Sequence, residues 1–169
     1  MIERAKRIFC RYPSSTVSDE WKERLKQLRV FIVINPKLKS TAGTACFVRV
    51  RAARKLFKIP QEFKPNKVDE VPGYFIVEIN PKYIILDPPK EVYDTVSHEL
   101  AHCLDYSIRG WFGRTIPYHD EFWSFLHKRM GGDGESYLQT TKFKYQFKSA
   151  QKKAHEITQN FDPLDITEI

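Results

Sequence analysis

Cysteine is scarce: Cys10, Cys46 and Cys103 are the only three in 169 residues. An odd number with no C-x-x-C pair excludes a cysteine zinc finger and a disulfide framework. It points instead to free thiols in a reducing, intracellular compartment. Long apolar runs are absent too. Nothing approaches the roughly 20 residues a bilayer-crossing helix needs, so no membrane partner is expected. The opening stretch MIERAKRIFCRYPSS is charged and lacks an apolar h-region, so it does not read as a secretory signal. There are no repeats and no low-complexity tracts. Acid is missing locally: residues 24–61 hold ten cations (Arg24, Lys26, Arg29, Lys37, Lys39, Arg49, Arg51, Arg54, Lys55, Lys58) and no carboxylate. Residues 136–155 hold five lysines and again no acid. With a net charge of +7, these stretches read either as polyanion-binding patches or as a solvated basic surface.

What is present is enough for one folded domain. Hydrophobic residues make up 41% of the chain and aromatics 14%, which excludes a disordered polypeptide. Ser18, followed by Asp19 and Glu20, starts a helix, with Trp21, Leu25 and Leu28 at helical spacing. VFIVIN (30–35) and the alternating TACFVRVRA (44–52) read as strands. The proline-rich stretch 58–73 reads as a loop. YFIVEI (74–79) and YIIL (83–86) read as further strands joined by the turn NPK. Asp87 and Pro88 open a helix over 88–106, whose broad apolar face carries Val92, Val96, Leu100, Cys103 and Leu104. A glycine-containing loop leads to a second helix over 119–130, stopped by Gly131 and Gly132. The order predicts an α+β domain with a short antiparallel or mixed sheet packed against helices. Its expected limits are 17–135, between a basic segment at 1–16 and a basic extension at 136–169. A monomer is expected.

The chemistry is concentrated in DTVSHELAHCLDY, residues 94–106. Residues four apart on a helix point the same way, so His98 and His102 present two imidazoles to one point, as a zinc ion requires. Glu99 lies about 100° around the helix, beside such an ion rather than on it, where it can take a proton from an activated water. With 5 histidines and 12 glutamates, a scrambled chain would show this H-E-x-x-H pattern roughly 0.01 times. The bland alternative is a structural helix that happens to carry two histidines.

A catalytic zinc takes three protein ligands and keeps one position open. A metzincin would place the third histidine at 108, which is Ile108. Asp105 shares the histidine face and suits orienting a histidine better than ligating. Glu121 and Glu135 are possible glutamate ligands. His119, opening HDEFW after the loop, is the stronger candidate, with Phe122, Trp123 and Leu126 anchoring its helix. His127 is expected on the solvated side of that helix and His155 in the basic tail. Cys103 is expected in the core. Arg114 and Tyr118 are candidate oxyanion donors or plain loop residues. Trp111 and Phe112 are candidates for stacking on bases, lining a substrate cleft or packing on the core.

These residues together resemble the SprT-like zinc metallopeptidases, which include Spartan-type protease domains. STAGTACF (40–47) is similar to the family's TAG-x-C segment, YFIVEINPKYI (74–84) to its strand before the active-site helix, and SHELAHCLDY with YHDEFW to its two metal-ligand segments. The likeness runs over about 17–130. It implies a small zincin-like fold, Zn²⁺ held by His98, His102 and His119, and Glu99 as general base. It also implies cleavage of proteins on or near DNA, including DNA–protein crosslinks. The chain departs from the family at Asp120, where glycine is usual, and it has no cysteine after Cys103 for a C-terminal zinc ribbon. Any DNA contact therefore falls to the basic patches.

Overall fold

A computed structural model describes residues 18–87, 89–110, 119–134 and 164–165. Helix α1 (Asp19–Gln27) leads into strand β1 (Val30–Ile34), then β2 (Gly43–Arg49), helix α2 (Val50–Phe57), β3 (Asn66–Val68) and β4 (Val71–Ile79). Helices α3 (Pro81–Leu86), α4 (Pro89–Arg109) and α5 (Glu121–Arg129) follow, and the short β5 (Leu164–Asp165) closes the order. This is an α+β fold with a small mixed sheet against helices. No described helix is long and apolar enough to cross a membrane.

The middle of the sheet is β4. It pairs parallel with β1 and antiparallel with β2 and β3, while β5 pairs antiparallel with β1. Tyr74, Phe75, Ile76 and Val77 are all fully buried, because β4 is covered on both faces. Phe75, Val77 and Ile79 join Trp21 of α1, Val96, Leu100 and Leu104 of α4 and Trp123 and Leu126 of α5 in the larger core. Tyr74 and Ile76 face the other way, against Phe31, Ala53 of α2 and Ile59. Each such buried side chain is worth about 1.5–3 kcal/mol of transfer free energy, so the doubly covered strand is the mechanical base on which α4 rests. Among the described residues β2 pairs only with β4, leaving its other edge open.

Three local readings need correction. YIIL is helical, not a strand. Asn80 caps α3 by accepting from the Lys82 N–H at 3.1 Å, and Pro81 supplies the preset first-turn φ, so the start signals override the β-branched composition. The strand expected over 44–52 ends at Arg49, where the chain turns into α2; Val50, Ala53 and Phe57 at helical spacing cover the smaller core. The loop expected over 58–73 contains β3 and the start of β4. They are joined through Asp69 and Glu70, both at positive φ (48° and 62°), as a two-residue hairpin turn requires. Pro72 is tolerated there because it lies at the exposed beginning of its strand.

Asn80 also sets the approach to β2. Fully buried, it donates through Nδ2 to the carbonyls of Leu38 and Thr41, both at 3.1 Å, and its N–H donates to Ala42 at 2.8 Å. These bonds pin the segment that delivers Gly43 to the sheet edge.

Candidate metal centre

Helix α4 carries His98, Glu99 and His102 on the side turned toward β2 and α5, while His119 stands two residues before α5. The three histidines converge. Nε2 of His119 lies 3.1 Å from Nε2 of His102 and 3.1 Å from Nε2 of His98. Three imidazole nitrogens around a tetrahedral zinc, at bond lengths of 2.0–2.1 Å, would stand about 3.3 Å apart. The donor set therefore fits a small divalent cation. Burial, with the charges of His119 and His127 added, pushes His98 down to about 4, against a smaller opposing effect of Asp94. Burial and then His127 lower His119 as well. Both rings are thus neutral near pH 7, the form that offers a lone pair to a metal.

Trp123 stands behind all three, its ring centroid 4.6 Å from His98, 4.5 Å from His119 and 5.4 Å from His102. It is buried, as is Leu126, and Phe122 packs at the margin of the same core. Cys103 is buried in that core as expected. Glu121, the alternative ligand, is exposed in the first turn of α5. It belongs to neither of the groups of potential ligand atoms found within 4.8 Å of one another among the described residues. Trp111, Phe112, Arg114, Tyr118, Glu135, His155 and the lysines of 136–155 lie outside the described residues.

Glu99 is nearly enclosed, at 6% exposure. Burial pushes its carboxyl up to about 8, and a hydrogen bond from the Ala45 backbone N–H only partly offsets this. The enclosure depends on Gly43: a Cβ there would sit 3.0 Å from Glu99 Cγ, 3.1 Å from Glu99 Oε1 and 3.1 Å from Ile79 Cδ1. Composition and spacing gave no sign of this contact, because it joins a strand to a helix 56 residues away in sequence.

His127 corrects another expectation. It is fully buried rather than solvated. Its i−4 neighbour Trp123 already marks that face as the core side, a signal legible in the helical period. Asp94, His127 and Asp133 form a second group with ligand atoms within 4.8 Å of one another. Hydrogen bonding argues against a metal there. His127 Nδ1 accepts from the Gly134 N–H at 3.2 Å, which leaves the neutral ring's proton on Nε2. That nitrogen faces Ser97 Oγ at 3.1 Å and Asp94 Oδ1 at 3.5 Å. A ring that accepts on one nitrogen and donates from the other has no lone pair to spare. Burial raises the Asp94 carboxyl, but the hydrogen bonds it accepts from His127 and from the Asp133 N–H outweigh it and leave it below its ordinary value. The group is a strut between α4 and the turn after α5. It fits because residue 132 is glycine: a Cβ there would fall 1.9 Å from His127 Nε2.

A model of the SprT-like family matches residues 6–157. The chain belongs to the SprT-like family. Neither the curated proteins nor the solved structures compared with it give a match. In this SprT-like chain, the three converging histidines and the enclosed glutamate fall inside the matched region.

Proposed function

We propose that this SprT-like protein is a zinc-dependent endopeptidase with a zincin-type centre, in which His98, His102 and His119 hold the metal and Glu99 is the general base. The observation that carries the reading is the meeting of three Nε2 atoms at 3.1 Å spacings, from a helix and a separate loop end, beside a buried carboxylate. When bound, zinc would polarise the scissile carbonyl and lower the pKa of water at its open position. The protein's own part is proton handling. Glu99 would accept the proton of the attacking water and return it to the departing amine, a role suited to its place directly after His98 and its enclosed seat against Gly43. The open edge of β2 runs past Glu99, whose carboxylate accepts from Ala45 of that strand. An extended peptide laid along this edge would bring its backbone to the site.

Substrates held on DNA are part of the proposal. Arg51, Lys55 and Lys58 are exposed on and just after α2, Lys37 and Lys39 are exposed ahead of β2, and Arg49 is exposed at its end. Helix α2 covers the sheet face opposite α4, so its cations and the histidine cluster lie on different sides of the molecule. Such cations contact phosphates, giving weakly sequence-specific and strongly salt-dependent binding.

The test is cleavage of a protein substrate, free and linked to single-stranded DNA. A chelator should abolish cleavage of both, and zinc should restore it. The DNA-linked substrate should be cut faster at 50 mM salt and lose that advantage by about 200 mM. Cleavage indifferent to chelation sinks the metallopeptidase reading. Equal rates on the two substrates at low salt sink the DNA reading alone.

Gly43→Ala tests the placement of the base. Its methyl group must displace Glu99 by a few tenths of an ångström, so kcat/KM should fall about tenfold while zinc content stays at one per chain. Steady-state kinetics with metal analysis measures both.

A further inference from the structure

Three charged side chains tie the end of α4 to the start of α5. Arg109, the last residue of α4, donates from Nε to Asp105 Oδ1. Its two terminal nitrogens donate to the two oxygens of Asp120, Nη1 to Oδ2 at 2.6 Å and Nη2 to Oδ1 at 3.0 Å. Asp105 is fully buried, and Arg109 and Asp120 are only 20% and 24% exposed. Asp120 also caps α5, because its Oδ1 accepts the Trp123 N–H at 2.9 Å. The guanidinium lies over the Phe122 ring at 4.6 Å.

Along the chain, residues 110–118 separate His119 from the helix of His98 and His102, and His119 is itself exposed. A ligand at the end of such a connection must be held by something if the site is to exist before the metal arrives. The residue directly after it is the one Arg109 grips with both arms, and that grip closes the connection. The fork also holds Asp120 where it caps α5, and α5 sets Trp123 against the three imidazoles.

We propose that Arg109, locked by Asp105 and forked onto Asp120, is a positioning residue that presets His119 for metal binding. This rests on the metal-centre reading above. Two-pronged guanidinium–carboxylate pairing fixes direction as well as distance, which a lysine at the same place could not do. The device therefore acts on metal affinity through geometry, beyond whatever it adds to folding.

The experiment compares wild type with Arg109→Lys, which keeps the charge and loses the fork, and Asp120→Asn, which keeps a capping oxygen and loses the charge. Tyr93→Phe is the control; it removes the buried hydrogen bond from the Tyr93 hydroxyl to the Met130 carbonyl (2.8 Å), at the opposite end of α5 from Asp120. Zinc affinity is read by competition with a chromophoric chelator, the ligand set by the visible spectrum of the Co²⁺-loaded proteins, and folding by urea unfolding of the metal-free forms. Both clamp variants should bind zinc about 10–100-fold more weakly and show an altered Co²⁺ spectrum. Tyr93→Phe should lose stability and keep wild-type affinity and spectrum. Clamp variants within twofold of wild type in affinity, with an unchanged spectrum, overturn the clamp while leaving the metal centre standing. So does a loss of affinity in Tyr93→Phe that matches theirs at equal loss of stability. A wild-type protein that takes up neither metal overturns the metal-centre reading and the clamp with it.

Discussion

Glu99→Gln leaves a folded protein that still binds zinc and whose peptidase rate falls roughly 10²–10⁴-fold. Glutamine keeps the shape of the side chain in its tight seat against Gly43 but cannot take up a proton. The same substitution has an opposite effect on the stability of the metal-free protein, and the sign follows from the raised pKa. From its ordinary 4.5 up to about 8, the folded state keeps a proton on Glu99 that the unfolded state has lost. The folded protein therefore loses stability as pH rises through that window, by roughly 3–5 kcal/mol in all. Glutamine carries no such penalty. Urea unfolding of the metal-free forms should find the variant clearly more stable than wild type at pH 8.5 and close to it at pH 5. A variant that is no more stable at the higher pH would show that the carboxylate is better solvated than its 6% exposure implies.

His119→Ala should release the metal. Losing a direct ligand costs more than losing the outer partners of a ligand, which already weaken binding 10–100-fold. Zinc affinity should accordingly drop by more than ~100-fold, and peptidase activity should fall to background at metal concentrations that saturate the wild type. Glu121→Ala, in the exposed first turn of α5, should keep both. Metal analysis after dialysis against a weak chelator, followed by a cleavage assay, separates the two variants. The reverse result would transfer the third position to Glu121 and leave His119 as an ordinary loop residue.

What could be read from the sequence is what local periodicity encodes. The four-residue spacing of His98 and His102 has meaning only on a helix, and the apolar positions Val92, Val96, Leu100 and Leu104 independently predict that helix. The runs VFIVIN and YFIVEI are strands because only a doubly covered sheet buries so many consecutive apolar residues. His119 could be singled out because few histidines were available and one opened a helix after a glycine-containing loop. What escaped depends on contacts between distant segments or on competing local signals. The fit of Gly43 against Glu99, and of Gly132 against His127, is a matter of space that no spacing rule reports. Helix α2 escaped because its N-cap residue, Arg49, makes no side-chain capping bond and continues the alternation of β2. Helix α3 escaped because isoleucines favour strands, and only its Asn-Pro start argued otherwise. The ion-pair chain from Asp105 through Arg109 to Asp120 also escaped, because it joins the end of one helix to the start of the next.

Among the described residues the outer rim of β2 is unpaired with any strand; its amide and carbonyl groups, apart from the Ala45 N–H that Glu99 takes, match those of any polypeptide. A substrate threaded there would be recognised by its main chain, with little regard for which side chains it bears. Under the proposed function, selection would then come from proximity: a peptide would be cut because it is kept nearby and locally unfolded, whatever its sequence. A positively charged reverse side that keeps the molecule on a nucleic-acid track would supply that proximity.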